Sequence, residues 1–504
     1  MIMANYPNKA LWRRLRSTLP APLPLRRSSA KLLMMIVLIL CGTALACSNP
    51  QTSTDSNSSL GEIPGILAHA INNDVSEGII SPEELIAIGA QIFSASFNTL
   101  DGSGNTKIRL FTSDNEKSSL LARFNRVSGP DANSCAGCHN QPITGGGGDN
   151  VANVFVLAHQ FPNVNFDEGA GDSLEVLTLT TTGNERGTIS MFGSGIIELL
   201  AREMTHDLHI IRDAAIEKAQ ATKQSVTVKI HAKGVSFGKL TAWPDGLLDL
   251  SKTEGIDEDL IIKPFSQKGV YTSLREFTLD SMQLHHGLQG EERVGVDIDA
   301  DADGVVNELT AADITALTLF QATLPLPVIA DLDDEERSAY AKRGEILFGT
   351  IGCAVCHKPY LELRDPVYTE PNPFNPPGTR NIDSPPMLYS VNLLRDNTSN
   401  TIEVTEAGTY RVYAYTDLKR HNMGEILANE TLEQRFVESP VWLTRKLWGI
   451  MSEPPFLHHG RATLLDEAIA AHGGEAKQSR DDYLNLSESD RIAVIELLKT
   501  FRMP

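Results

Sequence analysis

The chain has 504 residues, 44 Lys and Arg against 64 Asp and Glu, and a formal net charge of −20. At roughly 100–200 residues per domain that length suggests two or three domains. A composition of 41% hydrophobic and 21% charged residues excludes a disordered or many-pass membrane protein. So acidic a chain repels phosphate backbones, which argues against nucleic acid as a partner. Its six cysteines are too few to staple a protein of this size.

Residues 1–31 hold seven basic side chains (Lys9, Arg13, Arg14, Arg16, Arg26, Arg27 and Lys31) and no acidic one. An apolar run from Leu32 to Leu40 follows, passes Cys41 and reaches small residues at Ala46. A basic stretch, a short apolar core and a small-residue exit describe a secretory signal over 1–46. The run is shorter than the ~20 residues that span a bilayer. Ala44-Leu45-Ala46-Cys47 resembles a bacterial lipoprotein processing site, with Cys47 as the lipidated residue. The Ser/Thr/Asn-rich stretch over 47–60 cannot bury a core and reads as a tether. The expected location is the periplasm or cell envelope, as an outer-membrane lipoprotein touching the membrane only through that anchor.

The remaining four cysteines form two matching units, Cys135-Ala136-Gly137-Cys138-His139 and Cys353-Ala354-Val355-Cys356-His357. Cys-x-x-Cys-His is the attachment sequence of haem c: two thiols bond the vinyl groups and the adjacent histidine binds iron. A zinc site would need further ligands at suitable spacing, and a thioredoxin-like pair needs no following histidine. Two covalent haems, each with a proximal ligand at His139 or His357, are therefore expected.

The two units sit in similar frames. Ser81-Pro82-Glu83-Glu84 offers a helix start with an N-cap, a proline at the first turn and a capping-box glutamate. It leads into Gly89-Ala90-Gln91-Ile92-Phe93. Asp333 to Phe348 reads as a helix ending in Gly344-Glu345-Ile346-Leu347-Phe348. The shared Gly-x-x-Ile/Leu-Phe marks an internal repeat, with glycine allowing close helix crossing and Phe packing near the haem. Near the C-terminus, Ser487 caps a helix whose Val494, Leu497, Leu498 and Phe501 share a face.

From about Val151 to Trp243 short β-prone runs predict a small β element inserted in the first haem domain, including Val226 to Ile230. Leu324-Pro325-Leu326-Pro327 marks a boundary between domains 61–324 and 325–504. The proline-rich stretch Asp365 to Pro386 predicts a surface loop. The fold class is thus mainly α: two cytochrome c-type domains in tandem, a small β insertion in the first, and long loops. Asp299-Ala300-Asp301-Ala302-Asp303-Gly304 opens like a calcium loop, in which hard oxygen ligands converge on one cation. Thr310 falls at its twelfth position, so Glu308 or Asp313 would have to serve there.

His472 ends a short helix stopped by Gly473-Gly474. At this point the resemblance becomes specific. Tyr415 to Gly424, Leu447-Trp448-Gly449, Phe456-Leu457-His458-His459-Gly460-Arg461-Ala462 and Glu467 to Ala476 resemble the bacterial dihaem cytochrome c peroxidase superfamily. The nearest branch is the di-haem oxidoreductases, often called thiol oxidoreductases. Lys263 to Gly269 and His285-His286-Gly287-Leu288-Gln289 resemble the same branch. The resemblance runs from about Ser81 to the end.

That family places the distal ligand of its C-terminal haem fourteen residues beyond a turn histidine. Here His458 occupies the turn and His472 the ligand position, which implies bis-histidine ligation and a lower potential than a thioether would give. His421 and Met423 are weaker alternatives. Glu198 lies in a segment resembling the one that carries a distal-pocket glutamate, and so is nominated as the catalytic acid/base at the N-terminal haem. Phe155 stands where the displaceable histidine is usual, and His159 lies four residues later. Trp243 and Trp448 are both candidates to bridge the haems.

The resemblance implies a peroxidase-type oxidoreductase exchanging electrons with a small redox protein and acting on peroxide or an oxidisable substrate. The alternatives are a non-enzymatic dihaem electron carrier and an enzyme oxidising a partner protein or polymer.

Overall fold

Two helix pairs cross at glycines, and each crossing stands beside the histidine of one Cys-x-x-Cys-His unit. In the computed structural model, which describes residues 62–104, 132–153, 184–332, 334–381, 389–430 and 433–504, the Pro82–Ser94 helix packs on the Ala311–Ala322 helix. The Glu335–Thr350 helix packs on Glu488–Leu498 in the same way. A Cβ on Gly89 would stand 2.0 Å from the Ala316 carbonyl oxygen, and one on Gly344 would stand 2.0 Å from that of Ala493. Any side chain at either position would force the helices apart. Four residues further on, Phe93 lies 6.2 Å from His139 and Phe348 lies 6.4 Å from His357, ring centre to ring centre. The internal repeat therefore has a physical basis at both its glycine and its phenylalanine.

Local chemistry starts these helices. Ser81 Oγ accepts from Glu84 N while the Glu84 carboxylate accepts from Ser81 N, closing the capping box. Ser487 caps the last helix through Asp490 N. The Ala311–Ala322 helix has no such sequence pattern of exposure: eleven of its twelve residues are buried, so it shows no amphipathic stripe.

The stretch from Val151 to Trp243 departs from expectation. Asn184–Thr188 and the hairpin Val226–Ala232/Val235–Ala242 are strands, the hairpin continuing to Leu248–Asp249 in an antiparallel three-stranded sheet. Between them runs a 29-residue helix, Ser194–Thr222. Its first eight residues are all buried, so its opening turns are apolar all round and give no helical periodicity. The β-prone runs Val154–Leu157 and Leu174–Thr181, like His159, lie outside the described residues, as do the leader, Cys47 and the whole tether.

The proline-rich stretch after Asp365 is also not simply a surface loop. Tyr368, Glu370 and Asn372 are fully buried, two of them on the Val367–Glu370 strand. A buried charge network draws them inward, as described below. Residues 59–504 form one unit, and one apolar core joins Leu200, Phe237 and Leu260 to Leu361, Val412 and Trp448. Smaller clusters flank each attachment site, one around Phe93 and Met282, the other around Phe348, Tyr415 and Phe501. No helix among the described residues is long and apolar enough to cross a membrane.

Replacing Gly89 or Gly344 with alanine should destabilise the protein by about 1–3 kcal/mol, because the methyl meets backbone that cannot yield locally. Urea denaturation monitored by near-UV circular dichroism would read this. A stability unchanged from wild type at both positions would contradict the crossing geometry.

Candidate functional site

The C-terminal site is built from two imidazoles held by backbone. His357 Nδ1 lies 3.2 Å from the Tyr415 carbonyl oxygen, and His472 Nδ1 lies 2.8 Å from that of Ala468. A carbonyl can only accept, so both Nδ1 atoms carry hydrogen and both Nε2 atoms are free to ligate. The ring centres are 6.4 Å apart. Two metal–nitrogen bonds of about 2 Å, with half a ring on either side, require roughly that separation. Burial, then the nearby His472, pushes His357 down to about 4, and burial also holds His472 below its ordinary value. Both rings are thus neutral, as ligands must be.

His421 is excluded from that role by its own partners. Its Nδ1 lies 2.7 Å from Glu475 and its Nε2 lies 2.9 Å from Asp417. Burial opposes charge here, but Asp417, then Cys356 and Glu475, outweigh it and push His421 up to about 11. It is an imidazolium strut with no nitrogen to spare. Glu475 also accepts from Asn422 N, so the strut pins the turn that follows His472. The turn histidine His458 stacks on Trp442 at 3.8 Å and meets Asn429 through Nε2. Lys268 lies over the same indole at 3.7 Å.

The N-terminal site is a cavity of about 210 Å³ lined by Cys135, Cys138 and His139 on one side and by His285 and His286 among others. His139 Nδ1 lies 3.2 Å from the Gly146 carbonyl oxygen, repeating the arrangement at His357. Burial pushes His139 down to about 4. His285 and His286 end a π-helical turn, Met282–His286, that continues the Leu274–Ser281 helix; such turns often mark functional positions. Burial, then the charges of His286 and His139, pushes His285 down to about 3, leaving it neutral. His286 is tied to the wall, with Nδ1 2.9 Å from the Ala132 carbonyl oxygen and Nε2 3.5 Å from Cys135 Sγ.

Arg445 and Lys446 line the same cavity. Lys446 Nζ donates to the Ser190 carbonyl oxygen, has no ion pair among the described residues, and is pushed down to about 7 by burial and by Arg445. A buried ammonium facing a cavity without a carboxylate fits an anionic group there, such as a propionate. The Arg445 carbonyl also faces the His357 ring, so this segment touches both sites. Of the two tryptophans, Trp448 is 1% exposed and packs against Gly193, while Trp243 is 45% exposed.

Glu198 does not line the cavity. Its carboxylate pairs with Arg202 and accepts from Tyr368 Oη, Asn372 Nδ2 and Leu274 N, all within 3.1 Å. Arg275, fully buried beside it, joins Glu370, Glu292 and Thr315. Glu198 thus anchors the start of the helix that carries His285 at its far end. The four attachment cysteines are unpaired with one another. Burial pushes the Cys135 thiol up to about 12 and Cys353 up to about 11, values that suit no thiol-redox nucleophile. Asp299, Asp301 and Asp303 bring carboxylate oxygens within 4.8 Å of one another. Asp313, by contrast, caps its helix and accepts from Ala70 N, which removes it from that group.

Comparison with known proteins bears on the C-terminal site. Residues 397–501 match the family described as "Di-haem oxidoreductase, putative peroxidase". This segment carries the dihaem oxidoreductase pattern. It includes His421, His458 and His472, and it points to haem as the cofactor and to oxidoreductase chemistry. No curated protein matches the sequence. Among solved structures, a chain of hydrazine synthase from Kuenenia stuttgartiensis, pressurised with xenon, is similar at 13% identity and a TM-score of 0.29. The alignment covers 91% of this chain and 100% of that one.

The His421 strut sets a pH dependence. Its folded value lies above the unfolded one of about 6.5, so its stabilisation is complete below about 6.5 and is lost as pH rises toward 11. The difference in melting temperature between wild type and His421→Gln should therefore be largest near pH 6 and shrink by pH 10.5. A difference that grows with pH would contradict this.

Proposed function

We propose that the protein is an exported dihaem c-type oxidoreductase of peroxidase type. The observation that carries this reading is the contrast between its two histidine sites. At the C-terminal one, two neutral imidazoles face each other at 6.4 Å; at the N-terminal one, His139 opens onto a cavity. Two haems c would supply electron transfer at the first and reduction of peroxide, or oxidation of a substrate, at the second.

The chain's own residues do the rest. Cys135, Cys138, Cys353 and Cys356 supply covalent attachment, and backbone carbonyls fix the tautomers of His139, His357 and His472. Lys446 lines the cavity without an ion pair among the described residues, while Arg445 lines it paired with Glu453. The segment around Arg445 and Lys446 lines the cavity and meets the His357 ring, giving a covalent link between the two sites. Glu198 serves as a positioning residue for the Leu274–Ser281 helix, and His285 stands as a neutral imidazole at the cavity wall.

His285 also favours a second reading. A neutral imidazole near His139 could close the N-terminal site as a second axial ligand, leaving an electron carrier. Absorption and electron paramagnetic resonance spectra with and without hydrogen peroxide separate the two. The enzyme reading expects one high-spin or exchangeable haem that responds to peroxide. Two low-spin haems inert to peroxide, with His285→Ala producing a new high-spin signal, would establish the carrier instead.

Export and anchoring rest on the leader. Cys47→Ala should move the protein from the membrane fraction to the soluble periplasmic fraction, with both haems retained. Unchanged fractionation would refute the lipid anchor.

A further inference from the structure

The acidic loop between Gly295 and Leu309 lies outside the machinery described so far, yet it is bound tightly to the segment that carries His285 and His286. Glu308 Oε2 accepts from Gln289 N at 2.9 Å. The Gln289 side chain reaches back, accepting from Ala300 N and donating to the Val305 carbonyl oxygen. Gly290 pairs with Leu309, and Glu291 N donates to the Leu309 carbonyl oxygen. On the other side the Glu308 carboxyl lies against Gly102, where a Cβ would stand 2.3 Å from it. The next residues, Ser103 and Gly104, bond the carbonyl oxygens of His286 and Gly287.

Inside this lattice of bonds two acidic side chains are buried. Asp301 and Glu308 are 0% and 2% exposed. Glu308 Oε1 is buried with no hydrogen-bond donor, and no cationic side chain pairs with Glu308 among the described residues. Asp301 and Asp303 stand close enough to the Glu308 carboxyl to repel it. Asp299, Asp301 and Asp303 bring carboxylate oxygens within 4.8 Å of one another, and Gly304, at φ +100°, makes a turn that a residue with a side chain would resist. Carboxylates crowded this closely are stable together only when protonated or neutralised by a cation. Oxygen-only donors on an irregular loop suit a large, hard ion of variable geometry, which is Ca²⁺ rather than Mg²⁺.

We propose that Asp299, Asp301, Asp303 and Glu308 form a Ca²⁺ site whose ion fastens the 286–291 segment, and with it the π-turn bearing His285, to the Gly102 and Asp299 loops. Binding itself is independent of the dihaem reading. Only the consequence for the cavity rests on it.

The test uses the full holoprotein after extensive chelation, with metal content checked by plasma emission spectrometry. Isothermal titration with Ca²⁺ should give one site and a rise in melting temperature, with Mg²⁺ binding far more weakly. Glu308→Gln, or the less buried Asp303→Asn should the first variant fold poorly, should weaken Ca²⁺ binding about tenfold or more. Hydrogen exchange should show residues 282–290 losing protection when Ca²⁺ is removed. Absence of both retained and titratable Ca²⁺ would overturn the site, as would Ca²⁺ affinity unchanged in both variants. Binding without any change in exchange at 282–290 would overturn the fastening. None of these readouts depends on peroxide chemistry, so they stand apart from the test of enzymatic function.

Discussion

Everything in this protein is arranged around two places where helices touch through bare backbone. At Gly89 and at Gly344 there is room for a hydrogen atom and nothing larger. Close approach brings Phe93 and Phe348 to their histidines, and the helices on the far side of each crossing seal an apolar cluster around the site. The same geometry used twice yields two sites with different openness. The difference comes from what each is faced with: a second carbonyl-held imidazole at one, a cavity wall with a π-turn at the other.

Backbone groups carry much of the chemical precision. Four histidines, His139, His286, His357 and His472, have Nδ1 occupied by a main-chain carbonyl, which decides their tautomer without any ionisable partner. Side-chain charge is used where rigidity is wanted instead. The Asp417–His421–Glu475 strut and the Arg202–Glu198 and Arg275–Glu370 pairs lie behind the sites and hold their supporting elements. Burial costs are tolerated there because each charge meets an opposite one with several hydrogen bonds.

What the sequence revealed depended on whether a signal was local. The Cys-x-x-Cys-His units, the Ser81 capping box, the glycine–phenylalanine repeat and the His458-to-His472 spacing all lie within short windows, and His472 stands opposite His357. The Ala311–Ala322 helix and the opening turns of the Ser194–Thr222 helix were hidden because burial on nearly every side erases helical periodicity. The proline-rich stretch misled for a different reason. Its prolines describe the backbone, whereas Tyr368 and Asn372 are drawn inward by Glu198, and Glu370 by Arg275, all distant in sequence. Glu198 was found as a notable residue, but its distance from the cavity depends on long-range packing. His285 could be noticed only as part of a motif, since nothing local distinguishes it from the wall-bound His286.

The network behind the cavity bears on how the chain can be divided. Glu198, Arg202 and Arg275 precede residue 324, while Tyr368, Thr369, Glu370 and Asn372, which satisfy them, follow it. A fragment ending there would have to bury two guanidinium groups and a carboxylate without several of their partners. Its complement would keep Glu370 with no arginine to meet. Although the two haem-binding motifs read as a duplication, neither half should fold faithfully when expressed alone. Mixing the two halves should restore structure only to the extent that this ionic seam can re-form.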